Sequence, residues 1–190
     1  MNTEIKKIAK ILGGQIISRV EARRDDEKIG NTKILVPKAI SNGVIGHEKL
    51  VTIDIKMELD EKKLTKSGDI ILKLSQPYDA AFITKNDENL LVTSFCLILR
   101  DFDSNINPLY LLSVVNSDIY KEQALFLTSG ATVPILTKGG IEKIVVDIPS
   151  MDEQERIIKV AQEIITKEQI FNEVIRLEKM KLENMLRGKL

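Results

Sequence analysis

The chain holds one histidine, one cysteine and no tryptophan among its 190 residues, and aromatics make up only 4%. Each scarcity closes a route. His47 would have to carry any histidine-based triad or acid–base pair alone. It sits among Gly46, Glu48 and Lys49 in an expected loop, where an ordinary surface histidine is the simpler reading. Cys96 has no second cysteine to pair with, and its place in the apolar run LLVTSFCLIL marks it as a buried small hydrophobe rather than a reactive thiol. His and Cys form no cluster with metal-ligand spacing, so no metal is expected. Gly13-Gly14 and Gly139-Gly140 lack both the phosphate-loop lysine and the dinucleotide fingerprint, so no nucleotide cofactor is expected either. The acidic residues are scattered, and no nuclease-type set of Asp, Glu and Lys stands out around the Glu142–Lys143 pair. These absences favour a binding module over an enzyme.

Long apolar runs are missing too. No stretch of eighteen residues suits a membrane span and no signal peptide is visible, which leads to the expectation of a soluble, cytoplasmic protein. Formal net charge is zero. The distribution says more than the sum. Residues 1–40 carry nine Lys or Arg against five Asp or Glu, whereas residues 41–110 carry eight against eleven. The basic excess gathers at Arg19, Arg23, Arg24, Lys28, Lys33 and Lys38, a run that by itself reads as a solvated face or, more weakly, as a nucleic-acid contact.

With 43% hydrophobic residues there is material for one core, supplied mainly by Ile and Leu. One domain of about 150 residues with an appendage is the natural division. The appendage is the clearest feature. Ser150 followed by Glu153 has the capping-box spacing, Asp152, Glu153 and Glu155 suit the positive end of a helix, and neither Pro nor Gly interrupts residues 151–187. Ile157, Ala161, Ile164, Phe171, Ile175, Leu182 and Met185 recur on one side, interrupted by Glu168 and Glu178. At 1.5 Å per residue such a helix reaches roughly 55 Å, too far for a domain of this size to cover. The expectation is a helix-mediated dimer or a docking arm, the alternative being a helix folded back over its own domain.

Upstream, residues 3–12 read as a short amphipathic helix ended by Gly13-Gly14, and QIISR as a first strand. Residues 21–31 read as a charged loop, and Asn42-Gly43 and Ser67-Gly68 as turns. LVTIDIK, DIILKL, AAFIT, LLVTSFCLIL and KIVVDI read as strands. Asn107 and Pro108 open a helix expected to run to about Leu127 with Leu111, Leu112, Val115, Ile119 and Leu125 inward, and Lys138–Ile141 reads as a turn. Short strands and helices without regular βαβ alternation give an α+β, or mixed α/β, class.

Taken in order, KKIAKILGG, LVPKAISNGVI, LTKSGDIILKL, NPLYLLSVVNSDIYKEQ, LTSGATVPILTKGGIEKIVVDIP and SMDEQERI resemble the specificity subunits of type I restriction–modification systems. The last resembles that family's "P-P-L-x-E-Q" opening of a spacer helix. The resemblance covers nearly the whole chain, in half-length form: one target-recognition domain (1–149) and one coiled-coil-like spacer or dimerisation helix (150–190), where the family typically carries two of each. A second departure is LSQPYDAAF, where family members often have a Gly-rich turn.

The resemblance implies a non-catalytic subunit that reads one half of a split DNA site. It would pair as an antiparallel homodimer through its C-terminal helices and dock DNA methyltransferase and translocase or restriction subunits. The expected partner is double-stranded DNA, contacted by Arg19, Arg23, Arg24, Lys38, Ser41, Asn42, Lys73, Ser75, Gln76, Tyr78, Ser129, Thr132 and Lys138. Each of these has a plainer alternative as a solvated loop residue. Leu74 and Ile135 are expected in the core. Two other functions stand beside this one: an interaction or decoy protein that keeps the fold without reading DNA, and, disfavoured by the missing motifs, a stand-alone nuclease or methyltransferase.

Overall fold

The computed structural model describes residues 2–128, 132 and 134–188. The chain begins not with a helix but with a strand. β1 (Asn2–Glu4) pairs antiparallel with β11 (Val145–Asp147), a 3₁₀ turn covers Ile5–Lys7, and β2 (Lys10–Gly13) follows. Ile5, Ile8 and Leu12 do have helical spacing, but a β partner some 140 residues away prevails, and Ile5, Ile8, Ala9 and Ile11 are buried in the core. QIISR is likewise not a strand: Gln15 makes a single bridge to Thr93, and Ile17–Arg19 is a 3₁₀ turn.

β3 (Gly30–Leu35), the hairpin β4 (Ile40–Ser41) and β5 (Val44–Ile45), and β6 (Val51–Ile55) come next. The hairpin turns on Asn42 and Gly43, both at positive φ (45° and 84°), as a two-residue primed turn demands. β7 (Ile70–Lys73), β8 (Ala80–Phe82), β9 (Leu91–Val92) and β10 (Cys96–Arg100) complete the strands before the helices. The main sheet has the order β2-β10-β7-β8 and is antiparallel; a second has the order β6-β3-β9. Every residue of β7 is buried, as are Cys96–Leu99 of β10, so both faces of the main sheet are covered. Across it Asp69, 2% exposed, accepts from Arg100 Nε at 2.7 Å and Nη2 at 2.6 Å, a bidentate pair that raises the guanidinium pKa.

Residues 108–128 form two helices rather than one. α1 (Pro108–Val115) is capped by Asn107, whose side chain accepts from Leu109 N. The chain breaks at Asn116 and Ser117 and resumes in α2 (Asp118–Thr128). The break has a use: Asn116 Oδ1 accepts from Ala80 N at 2.8 Å and Nδ2 donates to Ala80 O at 3.2 Å, covering the edge strand β8 as a further strand would. It also resets the helical phase. Tyr120, Ala124 and Thr128 turn inward, whereas Ile119 and Leu125, expected inside, are 71% and 45% exposed. Ile135 is also out, at 41%, while Leu74 is in. Lys138–Ile141, expected as a turn, lies in α3 (Lys138–Glu142), capped by Thr137.

α4 (Met151–Leu186) is the long helix, with the Ser150 side chain accepting from Glu153 N. Its root belongs to the core. Gln154 and Ile158 are buried and Ile157 packs against the same apolar cluster that holds α1. From Thr166 onward every described residue is exposed.

Candidate nucleic-acid interface

One end of the domain is built where four separate segments are hydrogen-bonded side by side. Gln15 N donates to Val92 O (2.7 Å) and Ser94 N to Gln15 O (2.8 Å). Leu74 N donates to Phe95 O (3.1 Å), and Leu136 N to Leu74 O (2.7 Å). Ser75 then bridges to Ile135. The result is a continuous floor from residues 14–19 through 93–96 and 74–78 to 134–136. The loop after β7 is pinned further by Tyr78, which is 1% exposed and whose hydroxyl lies 3.0 Å from Thr128 Oγ1 and donates to Pro134 O at 3.2 Å.

The expected contacts divide on this frame. Arg19, Ser75 and Gln76 lie on these segments, Gln76 and Arg19 exposed and Ser75 half-buried, and the exposed Thr132 precedes Pro134 by two residues. Lys38 is exposed in the turn Pro37–Ala39, which leaves from the same end of the β3–β9 pair, since Thr93 N bonds to Leu35 O. Lys138 is exposed at the start of α3, 3.8 Å from Glu142. Ser129 lies outside the described residues.

Others sit elsewhere. Arg23 and Arg24 are in a loop clipped to β6 by Ala22 N bonding to Asp54 O. Arg24 Nη2 is 2.6 Å from Glu27 Oε1, a contact that holds the Glu27 carboxyl below its ordinary pKa, and Lys28 is 2.8 Å from Asp54, which raises the pKa of its ammonium. Ser41 and Asn42 are exposed at the hairpin tip, beside α1 and α4: a Cβ built on Gly43 would lie 3.6 Å from Leu112 Cδ2 and 3.8 Å from Ile165 Cδ1.

Two of the expected contacts, Lys73 and Tyr78, are buried. Lys73 is 7% exposed and its ammonium is 3.4 Å from Asp79, which Lys121 also approaches at 3.4 Å. The polar ends of both Lys73 and Tyr78 are thus engaged by partners inside the domain. Gln76 and Pro77, between them in sequence, are exposed because β7 ends at Lys73 and the loop turns back after it.

Sequence reasoning missed three residues here. Phe95, at 59% exposure, and Ile16, at 42%, stand out from the floor, and Lys63 Nζ donates to Gln15 Oε1 at 2.9 Å. Phe95 was hidden by its apolar neighbours, and nothing in the sequence distinguishes it from a core residue of β10.

On α4, Ile157 and Ala161 are half-buried, while Ile164, Phe171, Ile175, Leu182 and Met185 are 51–66% exposed. A groove of about 330 Å³ runs along the root between Leu112, Asn116 and Lys121 on one side and Ala161, Ile164 and Glu168 on the other. Among the described residues no group of three or more His, Cys, Asp or Glu is placed to hold a metal, and no helix is long and apolar enough to cross a membrane.

The model of the type I restriction modification DNA specificity domain matches residues 1–178. No curated protein matches the sequence significantly. Among solved structures, the HsdS subunit from Thermoanaerobacter tengcongensis superposes with a TM-score of 0.69 at 15% identity, over 98% of this chain and 46% of that one. A chain from a structure of complex assembly and conformational transition of the type I R-M system gives 0.60 at 16%, over 100% and 46%. The type I restriction-modification S subunit from M. genitalium gives 0.54 at 12%, over 96% and 44%. The chain therefore spans just under half the length of the structures it matches, with their fold. A family model covering all but the last twelve residues establishes that the chain belongs to the type I restriction modification DNA specificity domain family.

Proposed function

We propose that the chain is a non-catalytic recognition subunit of a type I restriction–modification complex. In this reading residues 1–149 read one half of a split DNA site and residues 150–190 set the distance to a second reader. The observation that carries it is α4: a helix whose root is built into the core and whose remaining five turns expose Phe171, Ile175, Leu182 and Met185 to solvent. Apolar surface of that kind needs a partner. A second copy lying antiparallel supports the arrangement best, because the far half of one helix then lies beside the partner's root, where the groove at Leu112 and Ile164 is open.

A second apolar side supports docking of other subunits. Ile170, Val174 and Leu177, 50–59% exposed, follow the i, i+4, i+7 rule around the helix from the first stripe. One partner helix cannot cover both, so methyltransferase subunits, and translocase or restriction subunits, are natural further occupants.

The test is the solution mass of the full chain and of a Phe171→Glu, Ile175→Lys variant. A dimer that becomes a folded monomer supports the pairing; an unchanged mass places the interface elsewhere. The decoy reading draws on the neutralised cations, Arg24 with Glu27 and Lys28 with Asp54. A chain that assembles with methyltransferase yet prefers no sequence in a randomised duplex pool would establish that alternative.

A further inference from the structure

Phe95 is an unusual residue to find in the open. It occupies the tight turn between β9 and β10, closed by Cys96 N donating to Thr93 O at 2.9 Å. Two different segments hold that turn through three bonds: Gln15 O accepts from Ser94 N and Cys96 O from Gly14 N at 3.3 Å on one side, and Phe95 O accepts from Leu74 N on the other. The turn rests on bare backbone, since a Cβ on Gly14 would fall 2.1 Å from Thr93 O. Cys96, the next residue, is fully buried. The ring is therefore 59% exposed on a mount that is fixed in place, not on a mobile loop. Such a mount removes the conformational entropy that ordering a large side chain on binding would otherwise consume.

The surroundings indicate what the ring meets. Ile16 and Ile135 are exposed apolar residues on segments of the same floor, which also carries Arg19, Ser75 and Gln76, and Lys63 Nζ is bonded to Gln15 Oε1 on it. A few apolar atoms projecting from a polar, basic floor do not make a protein–protein core, which is larger and depleted of charge. They do suit the edge of a base pair, where a thymine offers a single apolar group, its 5-methyl, in the major groove.

We propose that Phe95 is a specificity-determining residue that contacts the 5-methyl of a thymine in the DNA half-site. This rests on the DNA-reading function proposed above. It adds a direct base contact, by apolar packing, to a set of candidates that were all polar.

The full chain, with its methyltransferase partner, is first used to select a preferred site from a randomised duplex pool. Each thymine of that site is then replaced in turn by deoxyuridine, which removes only the methyl. At one position the wild type loses about fourfold in affinity, the effect of one buried methyl-sized group. Phe95→Ala binds the thymine site more weakly and shows no further loss on that substitution, whereas Phe95→Leu keeps part of the discrimination. Protection of the buried Cys96 thiol verifies that each variant is folded. The inference is overturned if a site is selected but Phe95→Ala responds to every deoxyuridine as the wild type does. If no site is selected at all, DNA reading itself fails and the inference falls with it.

Discussion

Gln154 Oε1 accepts a hydrogen bond from the backbone N–H of Asn107 at 2.8 Å, joining the first turn of α4 to the residue that caps α1. The same side chain donates through Nε2 to Asn105 O at 2.8 Å and to Pro149 O at 3.1 Å. Its residue is fully buried. This amide fastens the long helix to the domain, and Tyr110, donating to Asp147 O at 2.7 Å, fastens the strand just before it.

Replacing Gln154 with Leu keeps the volume and removes all three bonds, leaving the Asn107 N–H without its partner. An unmet polar group of this kind costs about 1–3 kcal/mol, so urea unfolding should show a loss of roughly 2–4 kcal/mol with helix content retained. A loss under about 0.5 kcal/mol, the range of an inconsequential surface change, would show that water replaces the amide without penalty.

Gly14 offers a sharper steric test. With Thr93 O and C lying 2.1 and 2.5 Å from any added Cβ, Gly14→Ala must push the β9–β10 turn away. The expected destabilisation is about 3 kcal/mol, at the upper end for overpacking, with chemical-shift changes centred on residues 93–96. Gly13, with nothing within 4 Å, is the built-in control and should accept Ala with little effect.

Cys96 links stability to pH. Burial pushes its thiol up to about 12, whereas a thiol in the unfolded chain ionises near 8.5. Below the unfolded value neither state is ionised and the thiol has no influence. As pH rises from there towards 12 only the unfolded chain releases the proton, so folding stability falls across that window. The wild type should lose about 2 kcal/mol more than Cys96→Ala between pH 7 and pH 10. At pH 8 the native thiol should resist a disulfide reagent that labels the urea-unfolded chain within minutes. Rapid labelling of the native protein would contradict the burial.

Where the sequence carried its own local signal, the reading matched the structure. Ser150 and the uninterrupted run after it define α4, Asn42-Gly43 turns the hairpin, the alternation of LVTIDIK gives β6, and the apolar run of DIILKL gives β7. Where the deciding contact was distant in sequence, the reading failed. Nothing near Thr3 reveals that Val146 will pair with it, and Asn116 looks like a helix interior until Ala80 supplies both halves of its amide pairing. The candidate contacts behaved the same way. Exposure of Gln76 and burial of Tyr78, two residues apart, depend on a turn that the polar string SQPYD does not specify.

The root of α4 has a mechanical consequence. Of its thirty-six residues, the twenty-one from Thr166 to Leu186 are exposed, and at about 1.5 Å each they make a free rod of roughly 32 Å on a fixed root. A swing of about 6° at the base of that rod carries the tip through roughly 3.3 Å, about the step between stacked base pairs. If α4 sets the distance to a second reader, as proposed above, Gln154 and Ile158 are the fulcrum of that arm, and angular play of a few degrees is already an error of one graduation.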